Sequence, residues 1–590
     1  MVRPLDGSVQ PRGFLRVPSL WQNVSMASPR VSLLLIHAAH SDEALPLGAA
    51  CVAAALARAG GPRARLVEAW PEEPLERLAA RILEDKPDIL GISLYLWNRK
   101  ASIALAQLLR EMRPALRLFC GGPDASARPQ GLALQAYEGI DGGGPFDLVV
   151  RGEGEGAAGD LAAWMAGEES ASPGGGAQPI PAILSPAPLD GGELVSPWLD
   201  GSLDMAGRDC ILWELARGCP WACSYCYESR GTRRLRRLPD ERLAAELELI
   251  ASSGVSSVFV LDPSFNADGE RAIRILDQLL AQAAKPGATP IHWHFEVRAE
   301  QLTRAQARRF ARLGASLQIG LQSASEAVCA AINRPFKAGP FASKIALLNE
   351  EGCIFGLDLM YGLPEDSLAG FRKSVDWALG LWPNNLDIFP LALLPGTALH
   401  EQAAELGLEA DSEPPYLLRS TRGFSPADLA SAALLSKAVD VFYNKGRAVP
   451  WFLQILNPLG LKPVAFLEGF ARFVGSALDT APRAAGFGSP ETADPVAIER
   501  LQLAWIDEVY TQAKLDWILP AVWDLVRFHG ACARALAEGL ETRIDTQYDL
   551  EEVSSEEALD LEAWAAEAQP DPGRWVVSPG PDGPDIRRIS

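Results

Sequence analysis

The chain has 590 residues, 48% hydrophobic and 22% charged, with a formal net charge of −21. That length carries two to four domains with proper cores. The acidic balance repels phosphate backbones and anionic lipid, so neither nucleic acid nor membrane is an expected partner.

No apolar run approaches the roughly 18 residues of a spanning helix. The early run Val31–Ile36 is too short for a signal core and reads as a strand. A cytoplasmic protein is expected. Residues 1–28 hold Pro, Arg, Ser and Gly without periodicity and are expected to be disordered, with Met26 a second candidate start.

In residues 29–167, the runs VSLLLI (31–36), ARLVEA (64–69), DILGISLY (88–95), LRLFCGG (116–122) and FDLVV (146–150) alternate with Ala/Leu-rich helical stretches. Such alternation predicts a doubly wound, Rossmann-like parallel sheet. Residues 168–205 read as a linker, rich in Gly, Pro and Ser. Residues 206–400 repeat strand plus helix six times and predict a partial (β/α)6 barrel. Residues 401–560 are mainly helical, with scattered tryptophans that read as core or cavity lining. These helices are expected to wall the site and help set substrate choice. Residues 561–590 read as a disordered tail. The basic run Arg233, Arg234, Arg236 and Arg237 reads as a solvated face or a local anion contact.

Nine cysteines in such a chain are far from disulfide density. Three of them, Cys219, Cys223 and Cys226, lie within eight residues, spaced C-x3-C-x2-C, directly after the strand 211–216. Three thiolates on one short loop can bind three irons of a 4Fe–4S cube and leave the fourth iron open for an exogenous ligand. A structural zinc site wants a fourth ligand, and no second CxxC or nearby His supplies one. A ferredoxin cluster also wants a fourth cysteine, and Cys210 lies across a strand.

The segment ELARGCPWACSYCYESRG resembles the radical S-adenosylmethionine (SAM) superfamily, with Tyr225 in the aromatic slot before the last cysteine. The resemblance implies a 4Fe–4S cluster on Cys219, Cys223 and Cys226, with SAM chelating the open iron. It continues through LDPSFN (261–266), FEVRAEQLT (295–303), GLQS (320–323), DLMYGLPED (358–366) and LLPGT (393–397). It implies SAM contacts from Tyr225, Asp262, Asn266, Glu296, Arg298 and Gln322. The usual Gly-Gly-Glu turn is absent. An inward Arg on a barrel strand suits a ligand carboxylate, and a structural Glu296–Arg298 pair is the competing reading.

The carboxyl ends of the first sheet's strands, where doubly wound folds bind ligands, carry paired glycines that permit close backbone approach. PLGAA, GGPDAS and RGEGE resemble the cobalamin-binding domain that precedes many radical SAM domains. The resemblance implies cobalamin contacts from Ser93, Tyr95, Trp97, Asn98, Gly121, Gly122, Gly152, Glu153 and Gly154. Neither His37 nor His40 fits the Asp-x-His-x-x-Gly pattern of a histidine ligand to cobalt, so none is expected. A flavin or nucleotide is the other candidate ligand, but no G-x-G-x-x-G follows the first strand.

These resemblances imply an enzyme that cleaves SAM reductively, most plainly a methyltransferase at an unactivated carbon of a small-molecule or peptide substrate. An external electron donor of flavodoxin or ferredoxin type is then its partner. A cobalamin-dependent rearrangement or cyclisation enzyme, and a non-enzymatic cobalamin or cluster sensor, are the alternatives. The sequence designates no catalytic side chain. The segment 394–446 resembles a lineage whose carboxyl-terminal domain has no assigned role.

Overall fold

The structure, a computed structural model, describes residues 28–41, 43–136, 140–168, 170–171, 177–228, 233–479, 494–581 and 583–589. The amino-terminal segment expected to be disordered lies, but for Ser28, outside them.

The first sheet has strands β1 (Val31–Ile36), β2 (Ala64–Ala69), β3 (Ile89–Ser93), β4 (Arg117–Gly121), β5 (Leu148–Val150) and β6 (Ile183–Leu184). Their order is β2-β1-β3-β4-β5-β6, parallel throughout. Every β1 side chain is buried, because both faces are covered. Leu34 and Ile36 pack toward the helices Leu75–Glu84 and Arg99–Met112, and Val31 and Leu33 toward Leu47–Arg58 and Ala158–Ala166. The strand order reverses between β1 and β3, the switch point where such sheets open a crevice. The sixth strand corrects the reading of residues 168–205 as linker alone: Ile183–Leu184 pairs with β5.

The second sheet has strands β7 (Cys210–Glu214), β8 (Ser257–Leu261), β9 (His292–Val297), β10 (Ser316–Gln322), β11 (Ile354–Tyr361) and β12 (Asn385–Pro390), all parallel in sequential order. Alternation sorts their side chains. Trp213, Val260, Phe295, Ile319 and Leu357 are buried among the helices. Glu214, Leu261, Glu296, Gln318 and Asp358 line a cavity inside the open barrel.

The outer core of this barrel runs without a break into the helices Pro426–Ala438, Pro463–Asp479, Pro495–Gln512 and Leu519–Ala537. The first of these and the π-helical turn Val439–Lys445 that continues it cover the free edge of β12. The Asn444 side chain accepts from the Leu386 amide at 2.9 Å and donates to its carbonyl at 3.0 Å. Tyr443 donates to the Pro383 carbonyl and Ser436 to that of Ile388. An exposed edge of a parallel sheet is a template for unwanted pairing, and side-chain amides here occupy it.

Residues 561–590, expected to be a disordered tail, instead form the helix Leu561–Glu567 and the strands β14 (Gly573–Gly580) and β15 (Gly583–Arg588). With β13 (Thr542–Thr546) these make an antiparallel sheet in the order β13-β14-β15. Trp575, Val576 and Val577 are buried and outweigh the Pro/Gly-rich composition around them. Among the described residues no helix is long and apolar enough to cross a membrane.

Candidate functional site

One cavity of about 940 Å³ is shared by the carboxyl ends of both parallel sheets. From the first sheet, Ser93, Tyr95, Gly121, Gly122, Gly152, Glu153 and Gly154 line it; from the second, Cys219, Cys223, Tyr225, Cys226, Asp262, Glu296, Arg298 and Gln322. The two sets of strand ends therefore face one another. The joint is ionic. Glu153 pairs with Arg236 and, at 3.5 Å, with Arg217; Arg217 also holds Glu155 at 2.8 Å and Glu214 at 2.7 Å. Burial works against ionising Glu153, but the Arg236 hydrogen bond and both guanidinium charges prevail and hold its carboxyl below the usual range. Glu153, expected as a cobalamin contact, is thus at the cavity wall with its carboxylate committed to the other domain.

The cysteine loop follows β7 and is fixed from three sides. The Ser224 amide donates to the Ile332 carbonyl at 3.0 Å, the Asn333 side chain to that of Ala222 at 2.7 Å, and the Leu399 amide to that of Ser224 at 2.8 Å. Within the loop the Cys226 amide donates to the Cys223 carbonyl. Burial pushes the Cys219 thiol up. Among the described residues no three His, Cys, Asp or Glu side chains converge as ligands of a single ion. Thiolates that each take a different iron of a cube stand further apart than ligands of one ion, and three thiolates on one fixed loop are the donor set a 4Fe–4S cluster takes.

Beside the loop, Arg298 is 7% exposed, and its guanidinium lies 4.2 Å from the ring centre of Trp221. Its backbone is gripped by Asn266, which is 1% exposed and is not on the cavity wall. This corrects the expectation that Asn266 itself touches a ligand. Gln322 has φ of 68°, at a register shift in β10, and its buried Oε1 has no hydrogen-bond partner. A strained residue presenting an orphaned acceptor to a cavity fits a ligand hydroxyl or amine. Burial pushes the Tyr225 phenol up, with Arg334 and a hydrogen bond from Gln322 acting the other way. Glu296 opens into the cavity. Desolvation there pushes its carboxyl up to about 7, with Asp358, Asp262 and Glu228 adding to the rise. Desolvation likewise takes Asp358 up to about 6, although Gln318 donates to it, and it raises Asp262. The wall is therefore rich in acceptors and suits SAM, with its amine and ribose donors.

On the opposite wall the glycines let neighbouring groups pack closely behind the cavity surface. A Cβ on Gly154 would stand 2.7 Å from Val52 Cγ2, and one on Gly91 2.4 Å from the Phe119 ring. Gly122 has φ of 107° and sits against the Leu94 carbonyl. An apolar slot follows, lined by Leu33, Val52, Gly91, Phe119, Val150 and Leu161. The apolar parts of cobalamin, its methyl-rimmed corrin face and its benzimidazole, fit this wall.

Two expected contacts do not reach it. Asn98 is 1% exposed and spends its side chain on the Tyr95 amide and the Ile36 and Ser93 carbonyls. Trp97 donates to the Ile36 carbonyl and stacks behind Tyr95, with ring centres 4.4 Å apart. Both shape the loop that puts Tyr95 on the wall. His37 binds Glu68 at 2.8 Å and both histidines stack on Trp70, away from the cavity. No residue beyond Asp358 lines the cavity, so the expected walling by helices after residue 400 is not found among the described residues. That region instead touches the first domain: Tyr416 donates to Asp124 at 3.3 Å and accepts from Arg128 at 2.7 Å.

Sequence reasoning missed Arg217, Trp221, Gln318, Arg334 and Asp358 as wall residues. Trp221 and Arg217 border the cysteines in the chain, which was signal enough; Arg334 is brought in from a distant turn.

Residues 213–378 match the family model described as the radical SAM superfamily, and residues 35–162 that of the B12 binding domain. The chain is 27% identical over 374 residues to the cobalamin-dependent radical SAM methyltransferase TokK of Streptomyces tokunonensis, covering 59% of this chain and 53% of that protein. It is 31% identical over 216 residues to 2-(S-pantetheinyl)-carbapenam-3-carboxylate methyltransferase of Streptantibioticus cattleyicolor, covering 32% and 29%. It is 32% identical over 239 residues to hopanoid C-3 methylase of Methylococcus capsulatus, covering 37% and 42%. The chain thus spans about half or less of the length of these relatives. Its fold is similar to that of the radical SAM methyltransferase TsrM from Kitasatospora setae, solved with tryptophan and a SAM analogue. The TM-score there is 0.53 at 16% identity, covering 82% of this chain and 99% of that one. It is also similar to the cobalamin-dependent radical enzyme OxsB, solved with aqua-cobalamin and SAM, at TM-score 0.55 and 14% identity, covering 83% and 80%.

Proposed function

We propose that this chain, which belongs to the radical SAM superfamily and carries a B12-binding domain ahead of its barrel, is a methyltransferase acting at an unactivated carbon of a small molecule or peptide. The observation that carries the proposal is the single cavity joining the glycine-lined strand ends to the cysteine loop. A substrate between those walls would reach both at near contact, as group transfer to carbon requires. The names of the relatives, all methylating enzymes, support the same reading.

When bound, the cluster supplies the electron that cleaves SAM, and cobalamin carries the methyl group. The chain's own residues bind and orient. Cys219, Cys223 and Cys226 hold the cluster. Arg298, stacked on Trp221 and fixed by Asn266, offers a charge to the SAM carboxylate. Gln322, Asp262 and Glu296 accept from its donors. Tyr95 and the glycines at the carboxyl ends of β4 and β5 shape the cobalamin wall, and the ion pairs around Arg217 and Glu153 hold the two domains closed and exclude water. A flavodoxin- or ferredoxin-type donor in the cytoplasm supplies the electron.

Anaerobic reconstitution with deuterated-methyl SAM, followed by a search of cell extract for labelled products, tests the proposal. Label in a carbon-bound methyl group supports it. SAM cleavage without label in any product replaces it with a rearrangement or cyclisation.

A further inference from the structure

Arg334 is a buried cation with no carboxylate in direct contact among the described residues. It is 7% exposed on the cavity wall. Its Nη2 donates to the Gly320 carbonyl, and its Nη1 lies 3.9 Å from Cys223 Sγ. The other arginines of this wall are paired. Arg217 has Glu214 and Glu155, Arg236 has Glu153, and Arg298 has Glu300 at 3.6 Å. Among the described residues no carboxylate stands within ion-pair distance of Arg334. Glu300 and Asp358 act on it only from beyond contact, and a buried charge without a direct partner is costly, so the position makes sense when negative charge is placed beside it.

The geometry holding Arg334 there is rigid. The Arg334 amide donates to the Cys329 carbonyl at 2.9 Å, and Pro335 follows. The two preceding residues are the ones that grip the cysteine loop, Ile332 through the Ser224 amide and Asn333 through the Ala222 carbonyl. One turn thus sets both the position of the loop and the distance from the guanidinium to Cys223.

We propose that Arg334 sets the reduction potential of the cluster, by donating a hydrogen bond and placing a positive charge at the Cys223 sulfur. This rests on the reading of Cys219, Cys223 and Cys226 as cluster ligands. A donor and a cation at a ligand sulfur stabilise the form that carries the extra electron. They ease reduction of the cube by an external one-electron donor. Arg334 acts through Cys223 and is a positioning residue for the electron.

The test is a potentiometric titration of the anaerobically reconstituted full chain, with dithionite as reductant and paramagnetic resonance as readout. In Arg334→Met, iron content should match the unchanged protein, and the ratio of reduced to oxidised cluster at a fixed potential should fall at least tenfold, a shift of about 59 mV for one electron. Arg334→Lys, which keeps the charge, should shift it by less than half as much. An unchanged midpoint in Arg334→Met overturns the proposal. So does a loss of SAM affinity with no change of midpoint, which would make SAM the anion Arg334 serves. Loss of iron from both variants overturns it as well, since Arg334 would then build the loop. Absence of iron from the unchanged protein would instead refute the cluster reading itself.

Discussion

Asn266 and Arg298 are joined twice. The Asn266 amide donates to the Arg298 carbonyl and its oxygen accepts from the Arg298 amide, both at 2.9 Å. A side chain has taken the part of a neighbouring strand at the point where β9 ends. Asn266→Ala leaves the Arg298 amide unpaired in a buried place, a cost of about 1–3 kcal/mol, while the Arg298 carbonyl keeps the Gln301 amide at 3.1 Å. We expect a lower melting temperature and about tenfold weaker SAM binding to the reconstituted protein, read by calorimetry. Unchanged affinity would show that Arg298 needs no such anchor.

The cysteine triplet gives the simplest outcome. Reconstituted protein should carry about four irons and four sulfides per chain. Replacing Cys219, Cys223 and Cys226 together by Ala should remove them and end SAM cleavage. Cleavage that survived the triple change would sink the assignment.

Two adjacent glycines should respond differently. A Cβ on Gly121 meets Val150 at 3.5 Å, ordinary contact, and Gly121 lines the cavity. Gly121→Leu should therefore fold with a stability change within about 0.5 kcal/mol yet retain little hydroxocobalamin after gel filtration. Gly122 has φ of 107° and its Cβ would stand 2.6 Å from the Leu94 carbonyl. Gly122→Ala should lower the melting temperature of the unloaded chain itself. Cobalamin retained in full by Gly121→Leu would move the ligand off this wall.

Because the Glu296 carboxyl is raised in the folded chain, to about 7 from an ordinary value of 4.5, folding takes up a proton between those values. Its contribution to stability is fully present below about 4.5 and is lost as the pH rises through about 7. Asp358, up to about 6, acts in the same sense. The unloaded chain should thus lose stability from these two groups between about pH 4 and pH 7. Glu296→Gln should flatten that slope and melt higher than the unchanged chain at pH 8, by about 2 °C once solvent screening in the cavity is allowed for. An identical pH slope in both proteins would contradict the placement.

Much of this was legible in the chain. A run such as VSLLLI is a strand with both faces covered, and a nearly continuous apolar run needs no partner to be read. Ile183–Leu184 escaped notice because two residues between prolines carry no period; the neighbouring β5 makes them a strand. The hairpin β14–β15 was hidden by its proline and glycine content, although RWVV holds the buried residues that fix it. The cysteines and Arg298 were readable from local spacing. Asn98 and Asn266 were readable as polar residues of site loops, but whether a polar side chain faces a ligand or braces its own backbone is decided by hydrogen bonds that no spacing encodes. Arg334 needs the whole barrel to bring it to Cys223.

The Asn444 amide that closes the edge of β12 also has a bearing on synthesis. The last barrel strand leaves the ribosome about 50 residues before the side chain that will cover it. At about 5–20 residues per second, that is a wait of several seconds. During it, β12 presents bare amides and carbonyls beside a nascent apolar face, open to strands of a neighbouring chain. Fragments ended near residue 400 would keep that edge bare for good and should aggregate. Slow translation through 391–443 would lower the yield of the full chain while leaving the folded product unaltered.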